Sequence, residues 1–436
     1  MKRTLYRELL QWKQSDGRKP LIINGARQVG KTWLLREFGQ REYKKLAMVS
    51  LDRDPRAAMV FSQGQTVADM LLALSALTGV DITPDDTLLV LDEVQACPRA
   101  LEALKYFCED APEIHVAVAG SLLGLSLHGG ASFPVGKVDE LRLYPMSFLE
   151  FLDAMDRGQL ANVLRHLRWP VLAMLRGELE SLLRQYYYVG GMPEAVLAHT
   201  QGRGLQAVRH IQQQILSGYR RDFSKHAPLR ETPRINQVWD AMPSQLAKEN
   251  KKFVYGAVKK GARAADFELA IQWLVDAGLA YKCFRVSAPR VPLKFYEDLD
   301  AFKLFPTDVG LLGAMAGTES ADMLIGSGVF SEYKGAFTEL YVYTQLRAAG
   351  LSPYYHTAVG STVEIDFVVQ HAGRVIPIEV KAEANVRSKS LRTFVSAHPE
   401  LHAIRFSMLP YQDQEWMENL PLAACGAWAE ALLTGC

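Results

Sequence analysis

Over residues 1–150, short apolar runs alternate with stretches of helical spacing. The runs cover 20–24, 46–51, 87–91, 114–119 and 139–143. Strands buried on both faces read as such continuous runs, and the helices between them supply the crossovers that parallel pairing needs. The pattern predicts an α/β domain with a parallel sheet. From about residue 230 the rhythm changes. Residues 235–246, 254–258 and 265–276 have helical spacing, Gly278 stands where the third helix must end, and 279–286 alternates like a strand. A further helix is expected near 331–349. After it, 362–369 and 374–381 alternate with period two around a short turn containing Gly373, the mark of a hairpin.

Composition narrows the class. The chain has 436 residues, enough for two or three domains with cores of their own. Hydrophobic residues make up 49% and charged residues 22%, the profile of a soluble globular protein. A net charge of +1 gives no global attraction to nucleic acid or anionic membrane, so any DNA contact must come from a local patch. The N-terminus lacks the apolar core of a signal peptide, and no apolar run approaches the roughly 20 residues that span a bilayer. Cys97, Cys108, Cys283, Cys425 and Cys436 are scattered, as expected of reduced thiols. A cytoplasmic protein without a membrane partner is the expectation. His398 and His402 are four apart, but Pro399 intervenes and no third ligand is in view.

The sharpest chemistry is Gly25-Ala26-Arg27-Gln28-Val29-Gly30-Lys31-Thr32, which matches the P-loop pattern throughout. An apolar run precedes it and a helical stretch follows. A strand thus feeds a glycine loop that opens a helix, whose unpaired N–H groups favour an anion. Gly25 and Gly30 let the backbone curl around a phosphate, Lys31 adds a mobile charge, and Thr32 offers a hydroxyl to Mg2+. The run 87–91 ends in Asp92-Glu93, which looks like a Walker B motif. Asp92 would hold Mg2+ and Glu93 would polarise the attacking water.

A second constellation lies in the C-terminal hairpin. With the turn centred between Ala372 and Gly373, Asp366 falls opposite Glu379, and Glu364 opposite Lys381. Two carboxylates facing at roughly 5 Å need neutralising, which a divalent cation does with Lys381 beside it.

The chain resembles a prokaryotic AAA-type ATPase of the branch near STAND signalling ATPases and archaeal-type ATPases. The P-loop, Asp92-Glu93 and Gly191-Met192-Pro193 carry the likeness. It implies ATP as the nucleotide, with Mg2+. Ser121, after the run 114–119, resembles a sensor-1 residue on a strand between the P-loop and Walker B strands; a serine capping the turn is the other reading. The resemblance implies that the Gly-x-Pro element brings a helical lid near the base. It also implies an arginine reaching the γ-phosphate from the lid or from a neighbouring copy in a homo-oligomer, with Arg142, Arg220 and Arg221 as candidates. Three helices and a hairpin match a winged helix, which the family commonly has. Its basic cluster of Lys248, Lys251, Lys252, Lys259, Lys260 and Arg263 serves either DNA-backbone contact or nothing more than a packing module.

Asp366 followed by Glu379-x-Lys381 resembles the PD-(D/E)xK nuclease signature without its leading proline. That likeness implies a restriction-endonuclease-like α/β domain in which Glu339 adds an acid from the preceding helix. Asp366, Glu379 and Glu339 would hold a metal there, with Arg387, Lys389 and Arg392 following as a basic stretch. The expected organisation is a P-loop ATPase with helical lid over 1–225, a winged-helix-like segment over 226–325, and the endonuclease-like domain over 326–436. Two functions remain open: ATP hydrolysis coupled to DNA binding and metal-dependent cleavage, or a regulatory ATPase whose tail is a silent interaction module.

Overall fold

The computed structural model describes residues 1–62, 64–120, 133–248, 251–320, 328–358, 363–382 and 388–435. They form two compact units, one of 2–144 with 273–279, the other of Met1, 145–272 and 280–436.

In the first unit every expected run is a strand: β1 (Leu21–Asn24), β2 (Lys45–Ser50), β3 (Thr87–Asp92), β4 (His115–Ala119) and β5 (Asp139–Arg142). They make one parallel sheet in the order β2-β3-β4-β1-β5. Leu88, Leu89, Val90 and Leu91 of β3 are fully buried, each stabilising the fold by about 1.5–3 kcal/mol. An aspartate at Leu89 would strand a charge in that core. Local signals set the helix ends. Thr66 and Asp69 form a reciprocal capping box at the start of Val67–Thr78, and left-handed Gly79 stops it. Since β4 lies between β1 and β3, the sheet is a P-loop NTPase sheet with the additional central strand.

The second unit holds a helical layer and a mixed eight-stranded sheet. Its strands are β6 (Ala280–Val286), β7 (Glu297–Pro306), β8 (Tyr354–Thr357), β9 (Glu364–His371), β10 (Arg374–Val380), β11 (Ala403–Ser407), β12 (Gln412–Gln414) and β13 (Met417–Pro421). Their order is β12-β13-β11-β10-β9-β8-β6-β7. Helices Thr232–Leu246, Tyr255–Val258 and Ala264–Asp276 precede the β6–β7 hairpin, as expected from the spacing. The sheet adds what spacing does not show. β6 also pairs in parallel with β8, so the hairpin is an edge of the C-terminal sheet. The expected lid residues likewise cluster with this unit.

The Gly-x-Pro element is anchored inside the second unit. Gly191 N donates to Asp308 Oδ2 at 2.6 Å, and a Cβ on Gly191 would stand 2.1 Å from the Met146 carbonyl oxygen. Asp308 also caps the helix Val309–Ala316 through Leu311 N. Its burial pushes the carboxyl up to about 6. Among the described residues, no helix is long and apolar enough to cross a membrane.

Candidate functional site

Parallel register brings the chemistry of the first unit to one edge of the sheet. Ile23 lies opposite Ala119, and Asp92 lies opposite both Ala119 and Ser50. The chain therefore leaves β1 into the P-loop beside the point where β3 delivers Asp92. Gly25, Gln28 and Gly30 have positive φ angles of 150°, 68° and 96°. At Gly25 a side chain is also excluded by space, since a Cβ would meet the Leu143 carbonyl oxygen at 2.3 Å. Gly30 starts the helix Lys31–Glu42 with no side-chain cap, which leaves its first N–H groups for a ligand. Ala26 and Val29 are buried and pin the loop, whereas Arg27 and Gln28 are exposed.

Lys31 is 7% exposed, and its Nζ donates to the carbonyls of Gly25 and Ala26, both at 2.8 Å. Burial lowers the ammonium pKa to about 8, against the pull of Glu93 and Asp92. Thr32 Oγ1 lies 3.0 Å from each carboxylate oxygen of Asp92. Burial above all holds the Asp92 carboxyl above its ordinary range. Glu93 is half-buried and left-handed at φ 53° and ψ 46°, a strained backbone worth about 1–3 kcal/mol. Gln95 Nε2 donates to its carboxylate.

The Thr32–Asp92 pair and the uncapped loop fit Mg2+ bound with a nucleoside triphosphate. Thr32 and Asp92 would hold the ion, a small oxygen-seeking cation that usually keeps several waters. Ser121 lies outside the described residues, as does Arg387. Arg142 is exposed at the end of β5, opposite Asn24. Arg221 is exposed too, but Arg220 is engaged by Asp240 and Asn236.

Two residues of this site escaped sequence reasoning. Arg3 is 8% exposed and donates to the Val29 carbonyl at 2.8 Å and to that of Tyr144, bracing the loop from the N-terminus. Gly278, in the 273–279 segment of the same unit, would place a Cβ 3.2 Å from Ala26 N. Nothing in their local sequence separates them from a surface arginine and a helix-ending glycine.

In the second unit the hairpin register is the expected one. Its ladder runs from Arg374–His371 to Ile378–Phe367, so the next step sets Glu379 opposite Asp366. The turn residues Ala372 and Gly373 both have positive φ, 46° and 75°, which suits a two-residue hairpin. Lys381 Nζ sits 3.0 Å from Glu379 Oε1, two residues back along the chain. Glu364 meets Lys303 Nζ at 2.9 Å. Lys303 is fully buried on β7 and also lies 3.4 Å from Glu339 Oε2, while Lys251 takes Glu339 Oε1. Lys251, one of the basic cluster read as either a DNA-backbone patch or a packing module, is drawn inward by this acid.

Asp366 Oδ2 accepts from Val380 N at 2.7 Å. Burial first, then Glu339, pushes its carboxyl up to about 7. Glu379 is 6% exposed, lies opposite Arg405 of β11, and has Oε2 buried without a hydrogen-bond partner. Among the described residues, no three His, Cys, Asp or Glu side chains gather closely enough to hold a metal ion. Of the acids that the nuclease resemblance implies, Glu339 meets Lys251 and Lys303, and Glu379 Oε1 meets Lys381.

Comparison with known proteins locates the family likeness. Residues 17–152 match the family model of an AAA domain. The first unit has a P-loop NTPase fold and is similar to the AAA family over most of its length. Residues 180–322 match a domain of unknown function, DUF8612, and residues 334–424 another, DUF4143. No curated protein matches the chain. Among solved structures, the ORC1 protein of Aeropyrum pernix in complex with DNA aligns at 14% identity and TM-score 0.28, over 72% of this chain and 90% of that one. Drosophila ORC bound to DNA aligns at 14% identity and TM-score 0.28, over 72% and 94%. Cdc6p of Pyrobaculum aerophilum aligns at 12% identity and TM-score 0.25, over 74% and 92%. Overlap this low carries no argument about function.

Proposed function

We propose that the protein is an ATP-hydrolysing switch. One observation carries this reading: Thr32 and Asp92 pair at 3.0 Å beneath a P-loop whose buried lysine is hydrogen-bonded to the carbonyls of Gly25 and Ala26. Bound Mg2+ supplies charge neutralisation on the phosphates. Lys31 exchanges its carbonyl partners for phosphate oxygens, and the N–H groups opening the helix Lys31–Glu42 bind the same anion. Glu93 accepts a proton from water as the water oxygen bonds to the γ-phosphorus and the bridging oxygen leaves with ADP. An exposed arginine, Arg142 or Arg221, reaches the γ-phosphate from a neighbouring copy.

A DNA partner is supported by a narrower observation. Lys248, Lys259, Lys260 and Arg263 are exposed in and around the loop before the helix Ala264–Asp276. They form a backbone-contact patch without Lys251. Cleavage has no comparable support, because Glu339 and Glu379, two of the carboxylates that would hold its metal, are paired with lysines. The regulatory reading of the tail is therefore the stronger one.

The test is ATP turnover and ATP binding by wild type, Lys31→Ala and Glu93→Gln. Lys31→Ala should lose binding, and Glu93→Gln should bind ATP without turning it over. Equal turnover in all three proteins would sink the proposal.

A further inference from the structure

The acids of the C-terminal sheet converge on ammonium groups supplied by the chain itself. Glu339 comes from the long helix Gly328–Ala349, Glu364 from β9, and Lys303 from β7 at the far edge of the sheet. Lys303 has no solvent exposure and sits within reach of both acids, with its ammonium 5.1 Å from the Tyr355 ring centroid. A buried ammonium with two carboxylates and an aromatic face is fully served. Lys251 takes the remaining Glu339 oxygen. On the other side of the hairpin, Glu379 lies between Lys381 and Arg405. Arg405 is itself fixed by Asn419 and Ser388.

We infer that Lys303 is the resident cation of this centre and stands where a divalent ion would otherwise neutralise Glu339 and Glu364. The centre is a closed ion-pair network that ties β7 and β9 to the long helix. It does not hydrolyse phosphodiesters while Lys303 is seated. Two ammonium groups answer Glu339 and Glu364, so a metal must displace Lys303 before it can share these oxygens. Substituting an uncharged side chain of similar length removes the ammonium shared by Glu339 Oε2 and Glu364 and opens that position to a hard, oxygen-loving cation. The inference is independent of the ATPase reading, because neither Lys303 nor its partners belong to the P-loop unit.

Full-length, nucleotide-free protein titrated with Mn2+ and followed by electron paramagnetic resonance tests it. Wild type should show no Mn2+ site that responds to Glu339→Gln. Lys303→Met should gain one such site, with affinity at least about tenfold above any wild-type uptake, and lose it again when Glu364→Gln is added. Should Lys303→Met fail to hold its fold in metal-free buffer, refolding by Mn2+ in circular dichroism becomes the readout. Rescue supports the inference and its absence counts against it. A wild-type Mn2+ site abolished by Glu339→Gln would overturn it. So would divalent-dependent plasmid cleavage by wild type that Asp366→Ala abolishes, or a folded Lys303→Met without the new site.

Discussion

Each of the two units buries a lysine, and the two lysines are held in opposite ways. Lys31 donates to two backbone carbonyls, and burial lowers its pKa to about 8. Lys303 is more deeply buried, yet the carboxylates of Glu339, Glu364 and Asp366 raise its pKa despite the cost of burial. A buried charge hydrogen-bonded to carbonyls rather than carboxylates gains from an incoming anion. One already matched by carboxylates gains little from any ligand. The comparison teaches that burial alone does not mark a binding site. What distinguishes Lys31 is that its described hydrogen bonds go to carbonyls rather than carboxylates, together with an uncapped helix start.

The largest effects should break the comparison at its first member. Glu93→Gln is expected to lower ATP turnover by about 10^2 to 10^4-fold with ATP affinity retained, read by phosphate release beside calorimetric binding. Retained turnover would remove Glu93 from the chemistry. At the second member, Lys303→Ala is expected to cost about 3–5 kcal/mol of stability in denaturant unfolding, because it removes the buried ammonium shared by Glu339 and half-buried Glu364 and leaves Glu339 with Lys251 alone among the described residues. ATP binding per folded molecule should not change. A loss below about 1 kcal/mol would mean that the acids are solvated rather than paired.

Asp308 sharpens the contrast through pH. Burial raises its carboxyl from 3.8 to about 6. The folded state therefore favours the protonated acid, so the stability it contributes is complete below pH 3.8 and is lost as pH rises through about 6. Relative to wild type, Asp308→Asn should gain on the order of 2 kcal/mol between pH 4 and pH 7 in thermal or urea unfolding. A parallel pair of profiles would show that Asp308 does not titrate there. The smallest effect belongs to the exposed patch. Lys259→Ala with Lys260→Ala should flatten the salt dependence of DNA binding by one to two units of slope, roughly one per phosphate lost. An unchanged slope would place DNA elsewhere or nowhere.

The first unit was largely legible because its signals are local. Five apolar runs became five strands, and the P-loop and Asp92-Glu93 sit at strand ends where register makes them meet. The β9–β10 register was legible too, since Ala372 and Gly373 fix the turn and the pairing follows by counting. Its chemistry was not. Period two places Glu364 opposite Lys381, but charge chooses the nearest partner in three dimensions, and that partner is Lys303 on another strand. Arg3 was hidden for the same reason: its partner Tyr144 is 141 residues away.

The sequence alone therefore determined the strands of the P-loop sheet, the glycine loop, the aspartate that ends β3 and the hairpin, because each is written in neighbouring residues. The tertiary structure decided which carboxylates face a cation, that β6 and β7 complete the C-terminal sheet, and that Gly190-Gly191 rests on Asp308. Those outcomes depend on side chains brought together across long separations. Electrostatic pairing acts through distance in space, and a linear pattern records only distance along the chain.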